Sequence, residues 1–261
     1  MPLLSLSCQS AQTVSLKIAI DKYRIRLYQI NMSKTLPILI KNPGNTPELV
    51  ASVLRSAILQ GRLKSNLPLR QDQIAEQFGV SKIPVREAMV QLRAEGLIVF
   101  APNRGFVVSE LSPAEVEEIY MMRMALETKA LERAIPKLRS ADLIRAASVL
   151  EISETEDDRL QWGELNWEFH STLYQAAEWP RLLNTIQVLH NNVARYLLIY
   201  LGGLSAIDAS QAEHKKILQA CQKKDVDRAV KILQQHLSRA SHRLVAFLSD
   251  QGDNTIKGVT S

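Results

Sequence analysis

The chain predicts a mostly α fold in two parts, an N-terminal winged helix-turn-helix with a small β-hairpin wing and then an all-α helical bundle. Three observations carry that expectation. Residues 46–96 hold three helix signals, with Gly79 placed to end the second and Ser81 to cap the third. Two β-rich runs, 97–101 and 106–109, flank Pro102-Asn103-Arg104-Gly105, which is turn chemistry. From Ser112 onward only helical periodicity remains.

The first helix opens at Thr46-Pro47-Glu48, a cap, a proline at the first helical position and an early acid, ahead of Leu49, Val50, Val53, Leu54 and Ile58 on one face. Ile74, Ala75 and Phe78 space a short second helix. Two helices joined by a short glycine-containing turn form a helix-turn-helix, whose second helix presents its N-terminal residues to the major groove. Ser81, Lys82, Ile83, Pro84 and Arg86 are therefore the residues expected nearest DNA. A guanidinium can bind guanine O6 and N7 together, so Arg86 is the candidate base reader, whereas Lys82 suits a phosphate and Ser81 suits capping. Arg104 and Gly105, at the wing tip, are placed to enter a minor groove or meet a phosphate.

Charge is uneven along the 261 residues. Six basic residues and one acidic residue precede position 46, which already equals the net +5 of the whole chain. Residues 46–110 carry eight basic and six acidic residues, so the bundle is slightly acidic and a polyanion is expected on the N-terminal side. Residues 1–45 read as an N-terminal extension, either upstream of a true start at Met32 or a source of non-specific phosphate contacts. Their apolar runs are too short and too interrupted by charge for a membrane span or a secretory leader. Two cysteines, Cys8 and Cys221, lie far apart without metal-ligand spacing, so no disulfide is expected and a reducing cytoplasm is the natural setting.

The motifs of residues 46–110 resemble the winged helix of the GntR family. The resemblance rests on Gly61-Arg62-Leu63, Leu69-Arg70, residues 74–81, Pro84-Val85-Arg86-Glu87-Ala88, Leu92, Glu95-Gly96-Leu97 and Pro102-Asn103-Arg104-Gly105. It implies a double-stranded DNA operator as partner, a homodimer, and repression as the commoner mode of control. Lys82, Ile83, Val90 and Gln91 depart from the residues most frequent in that family, so the resemblance carries over the fold but not the family's operator consensus.

Residues 111–248 are expected to form the bundle, with 249–261 a flexible tail. Ser112-Pro113-Ala114-Glu115 is a capping box, and Ile119, Met122, Leu126, Ala130 and Leu131 continue as an apolar stripe with Arg123 at its edge. Further helices are signalled from Ser140, over 160–177, over 182–201, around 212–221 and over 226–248. All five histidines lie in this part. Asn166 and His170 stand four residues apart on one helix face, and His214 and His236 sit on the last two helices, neighbours if the connection is short. Imidazoles converging from separate helices suit zinc, nickel or manganese. His190 and His242 read as ordinary core or surface side chains.

This half resembles the FadR C-terminal domain (FCD) subgroup, through Glu118-Ile119-Tyr120, Arg123, Leu126-Glu127, residues 166–170, Glu213-His214, Ile217-Leu218 and His236-Leu237. The resemblance implies a divalent metal held by an acidic residue and three histidines, here at Asn166, His170, His214 and His236, with Asn166 in the place most often held by aspartate. An amide oxygen brings no negative charge, so a looser site is expected. Open metal positions, together with the resemblance, imply a small carboxylate effector such as an organic or sugar acid. Arg123 and Arg195 are the candidate cations for its carboxylate. The alternatives are an effector-independent DNA-binding dimer and a metalloenzyme fused to a DNA-binding module; against the enzyme, no His-Glu-x-x-His segment is present and Glu168 faces away from Asn166 and His170.

Overall fold

The computed structural model describes residues 46–200 and 204–257, so the expectations for 1–45 lie outside the described residues. The N-terminal part runs α1 (Thr46–Leu59), α2 (Gln71–Phe78), α3 (Lys82–Ala94), β1 (Ile98–Ala101) and β2 (Gly105–Val108). Gly79 ends α2 in the left-handed conformation, φ 64° and ψ 35°, and its N–H bonds back to the last turn, so α3 can leave at a sharp angle. Ser81 occupies the cap position of α3 but forms no side-chain cap bond, a correction to the role expected of it. Its hydroxyl is left at the exposed start of the helix.

Val50, Leu54 and Ile58 of α1, Ile74 and Phe78 of α2, and Val85, Met89 and Leu92 of α3 bury one face each into a common core, closed by Ile98 and Val108. The strands pair antiparallel with Ile98 opposite Val108 and Ala101 opposite Gly105, the first a residue shorter and the second a residue earlier than the runs read in the sequence. Just past the second strand, the Ser109 N–H donates to the Leu97 carbonyl at 3.0 Å and its hydroxyl to the Gly96 carbonyl at 2.8 Å. Asn103 and Gly105, at φ 62° and 72°, make the wing turn.

The second part contains α4 (Pro113–Ala134), a 3-10 turn, α5 (Ser140–Glu154), α6 (Arg159–Gln175), α7 (Pro180–Tyr200), α8 (Leu204–Gln222) and α9 (Val226–Lys257). The capping box opening α4 is complete: the Glu115 N–H donates to the Ser112 hydroxyl and the Ser112 N–H to the Glu115 carboxylate. Tyr120, Leu131, Phe169, Leu173, Leu233 and Leu237 fill the core. Helix α8 begins eight residues before the expected start. Its polar opening turns read as loop, yet Gln211 packs inward and donates to Ser153 of α5. Helix α9 runs on to Lys257, into the residues read as a tail.

Candidate metal centre and nucleic-acid interface

On α3 the apolar Val85, Ala88, Met89 and Leu92 point into the core, which turns Lys82, Ile83, Arg86 and Val90 outward. Ile83 is 70 % exposed, unusual for its type, at the N-terminal end of the helix. Pro84 is half-buried beside it. Lys82 is engaged with Asp72 at 2.6 Å, an exposed pair that a phosphate could displace. Arg104, at the wing tip beside the half-buried Gly105, donates to the carbonyl of Asn66 at 2.7 Å, which tethers the wing to the loop after α1.

Within the bundle, α6, α8 and α9 bring His170, His214 and His236 together, all three buried, with ligand nitrogens within 4.8 Å of one another. The outer nitrogen of each ring is held by a partner that fixes its proton. Tyr174 gives its one hydroxyl proton to Glu127 Oε2 at 2.8 Å, so its oxygen accepts from His170 Nδ1 at 3.2 Å. The Gln211 side-chain oxygen accepts from His214 Nδ1 at 3.2 Å, and the Glu213 carboxylate from His236 Nδ1 at 2.7 Å. Each Nδ1 proton is thereby held by an acceptor, which leaves Nε2 as the ring atom available to a metal.

Burial first, then the neighbouring imidazoles His214 and His236 and the Arg123 charge, holds His170 well below the usual imidazole range; burial and His236 do the same for His214. Both rings stay neutral near pH 7. His170 Nε2 and His214 Nε2 then face each other at 3.2 Å, two lone pairs without a proton between them. Two nitrogens bound tetrahedrally to one ion at about 2.0–2.1 Å stand roughly 3.3 Å apart, so a divalent cation fits this donor set.

Asn166 lies one turn before His170 on α6, half-buried, and lines a cleft between α1, α6 and α7. Arg123 is buried and donates to Glu127 at 2.7 Å; burial opposes its charge, but the Glu127 carboxylate more than offsets this and the guanidinium pKa is raised. That ion pair already engages the guanidinium expected to meet an effector carboxylate. The Arg195 side chain lies outside the described residues. Tyr174, Gln211 and Glu213 escaped sequence reasoning as positioning residues, although Tyr174 stands at the i+4 position from His170, where a helix puts a neighbour. Cys221 is buried, its thiol pushed up to about 12 by burial, which leaves it unreactive.

The two parts meet along α7. The Leu111 N–H donates to the Tyr196 hydroxyl at 2.8 Å, and Ser65 lies 3.3 Å from the same oxygen. Gly96, at φ 74°, comes so near Asn192 that an added Cβ would stand 3.0 Å from its side-chain oxygen.

A winged helix joined to a helical bundle is the architecture of a two-part DNA-binding regulator. Residues 47–108 match the family described as bacterial regulatory proteins, gntR family, and residues 118–239 match the FCD domain. The chain belongs to the GntR family, with an FCD domain at its C-terminal side. Its curated relatives include HTH-type transcriptional repressor RspR of Escherichia coli (strain K12), 28% identical over 204 residues covering 77% of this chain and 90% of the relative. A Paenarthrobacter nicotinovorans protein described as "Probable D-xylose utilization operon transcriptional repressor" is 30% identical over 74% of this chain and 88% of its own length. Among solved structures, a GntR regulator from Rhodococcus sp. RHA1 shares the fold at TM-score 0.68 and 22% identity, covering 77% of this chain and 97% of that one. The chain is thus a DNA-binding transcription regulator and not an enzyme. Among the described residues no helix is long and apolar enough to cross a membrane.

Proposed function

We propose that this regulator is a metal-dependent sensor of a small organic or sugar acid, which controls how a homodimer of the chain binds its operator. The observation that carries the reading is the tautomer arrangement: three buried imidazoles, each with Nδ1–H spoken for, turn their remaining nitrogens to one another. His170, His214 and His236 would hold a zinc, nickel or manganese ion, with Asn166 as a neutral oxygen ligand. When bound, the ion supplies Lewis acidity for a carboxylate or hydroxyl of the effector. Arg123 adds positive potential, since its charge reaches His170, and Arg195 is a second candidate cation.

On the DNA side, Ser81, Lys82, Ile83, Pro84 and Arg86 enter a major groove while Arg104 and Gly105 meet the flanking backbone. Two such surfaces in a dimer suit a roughly palindromic operator. Effector binding acts through α7, whose His190 stacks on Trp167, at 4.8 Å between ring centres, and whose Tyr196 holds the connection into the bundle. Control requires that the effector favour one arrangement of the two parts over the other. The repressor names of the relatives support repression as the outcome.

Metal analysis of purified full-length protein tests the centre. The expected result is about one divalent ion per chain, falling to a small fraction in His214→Ala while operator binding without effector persists. Wild-type metal content in that variant would exclude the proposed ligands.

A further inference from the structure

Helix α3 leaves two large apolar side chains in the open, Ile83 at 70 % exposed and Val90 at 48 %. Both are β-branched, a type usually sheltered from water. The core does not use them, since Val85, Ala88, Met89 and Leu92 fill it from the opposite side of the helix. Seven residues apart, they fall within about 20° of one another around the helix, and Val90 stands about 10 Å further along its axis. Arg86 and Glu87 lie between them on the same face, both exposed. Two polar neighbours are turned elsewhere: Lys82 pairs with Asp72 at 2.6 Å, and Gln91 donates to Glu48 of α1 at 2.9 Å. The outward face of this helix is thus apolar at its N-terminal end and again two turns later, with the Arg86 guanidinium between.

We infer that Ile83 is a specificity-determining residue of the operator, and that it reads the C5 methyl group of a thymine. The inference rests on the proposed placement of α3 in a major groove. There the base edges offer polar donors and acceptors, the backbone offers charged phosphates, and the thymine methyl is the apolar group that a base pair presents. An isoleucine against any other group would leave that group's hydrogen bonds with water unreplaced. Its branched side chain is stiff at χ1, so little rotamer freedom is lost when it packs on a methyl. Ile83 sits at the N-terminal end of α3, the end that such a helix turns to base edges, whereas Val90 lies two turns further along. Ile83 and Arg86 then read different chemistry from one face, a methyl and a guanine edge.

The test begins with an operator selected by the full-length protein from random unmethylated duplexes, in which thymine is the only source of a C5 methyl. Each thymine is replaced in turn by deoxyuridine, which removes the methyl and keeps the pairing, and affinity is read by fluorescence anisotropy. At one thymine the wild-type protein should bind about fourfold more weakly, the equivalent of one buried methyl. Ile83→Ala should bind the thymine operator about fourfold more weakly and lose nothing more from deoxyuridine at that position, because the two changes remove the same contact. Val90→Ala is the control and should keep the fourfold response there. The proposal is overturned by an operator with no methyl-sensitive thymine, by a full deoxyuridine effect persisting in Ile83→Ala, or by loss of that effect in Val90→Ala instead. Replacing operator guanines by 7-deazaguanine, which lacks the N7 acceptor of the major groove, separates the two levels of failure. Weaker binding to 7-deazaguanine duplexes without any deoxyuridine effect overturns the Ile83 assignment alone. No effect of either base overturns the groove placement of α3 and the assignment with it.

Discussion

Tyr174 illustrates how much one hydroxyl can decide. It donates to Glu127, so it can only accept from His170, and that choice leaves His170 Nε2 free for an ion. Burial, then the Glu127 carboxylate, holds its pKa well above the usual phenol range, so the proton it gives Glu127 is secure. Tyr174→Phe deletes this fixing bond without changing the ring. Metal affinity should drop about 10- to 100-fold, measured by competition with a chelating dye, with folding retained. At the other end of the chain, Arg86→Ala should cost about 1–3 kcal/mol of specific DNA binding while metal content stays unchanged. Fluorescence anisotropy with operator and scrambled duplexes checks it; equal loss on both duplexes would make Arg86 a phosphate contact rather than a base reader.

At the level of elements, legibility followed local chemistry. The capping box before α4, the Gly79 stop of α2 and the proline-glycine turn of the wing are encoded within a few residues, and each stands where the sequence placed it. The early start of α8 was not legible because Ser205, Asp208 and Ser210 favour turns in isolation, and burial of Gln211 against Ser153 overrides that preference. Convergence of His170, His214 and His236 could be read from helix faces, but the tautomers could not, since they depend on partners such as Tyr174, Gln211 and Glu213 whose contacts are tertiary. Gly96 is a similar case. Its glycine reads as a helix stop, but the pressing constraint is Asn192 of α7. Gly96→Ala adds both left-handed strain and a close contact, so it should destabilise the chain by about 1–3 kcal/mol. Asn192→Ala in the same chain should recover part of the loss, and no recovery in denaturant melts would mean that backbone strain alone accounts for it.

For the whole molecule, α7 is the common part: it packs in the bundle, stacks His190 on Trp167 and reaches the DNA-binding part through Asn192 and Tyr196. Buried neutral imidazoles also link stability to pH. His170, His190 and His214 are all held well below their usual range, burial being the largest cause for each. The unfolded chain takes up protons below about pH 6.5 while the folded chain does not, so this contribution is present above that pH and is lost as pH falls, by up to about 1.4 kcal/mol per pH unit and imidazole. Denaturant melts of chelator-treated protein should therefore show lower stability at pH 5.5 than at pH 7.5, and equal values would contradict neutral burial. The sensor reading itself is tested most directly by thermal shift of the full-length protein against a panel of small organic and sugar acids, with and without a chelator. An acid that raises the melting temperature only in metal-loaded protein is the expected result. Failure of every acid to stabilise metal-loaded protein would contradict the account and leave the bundle as a dimerisation block.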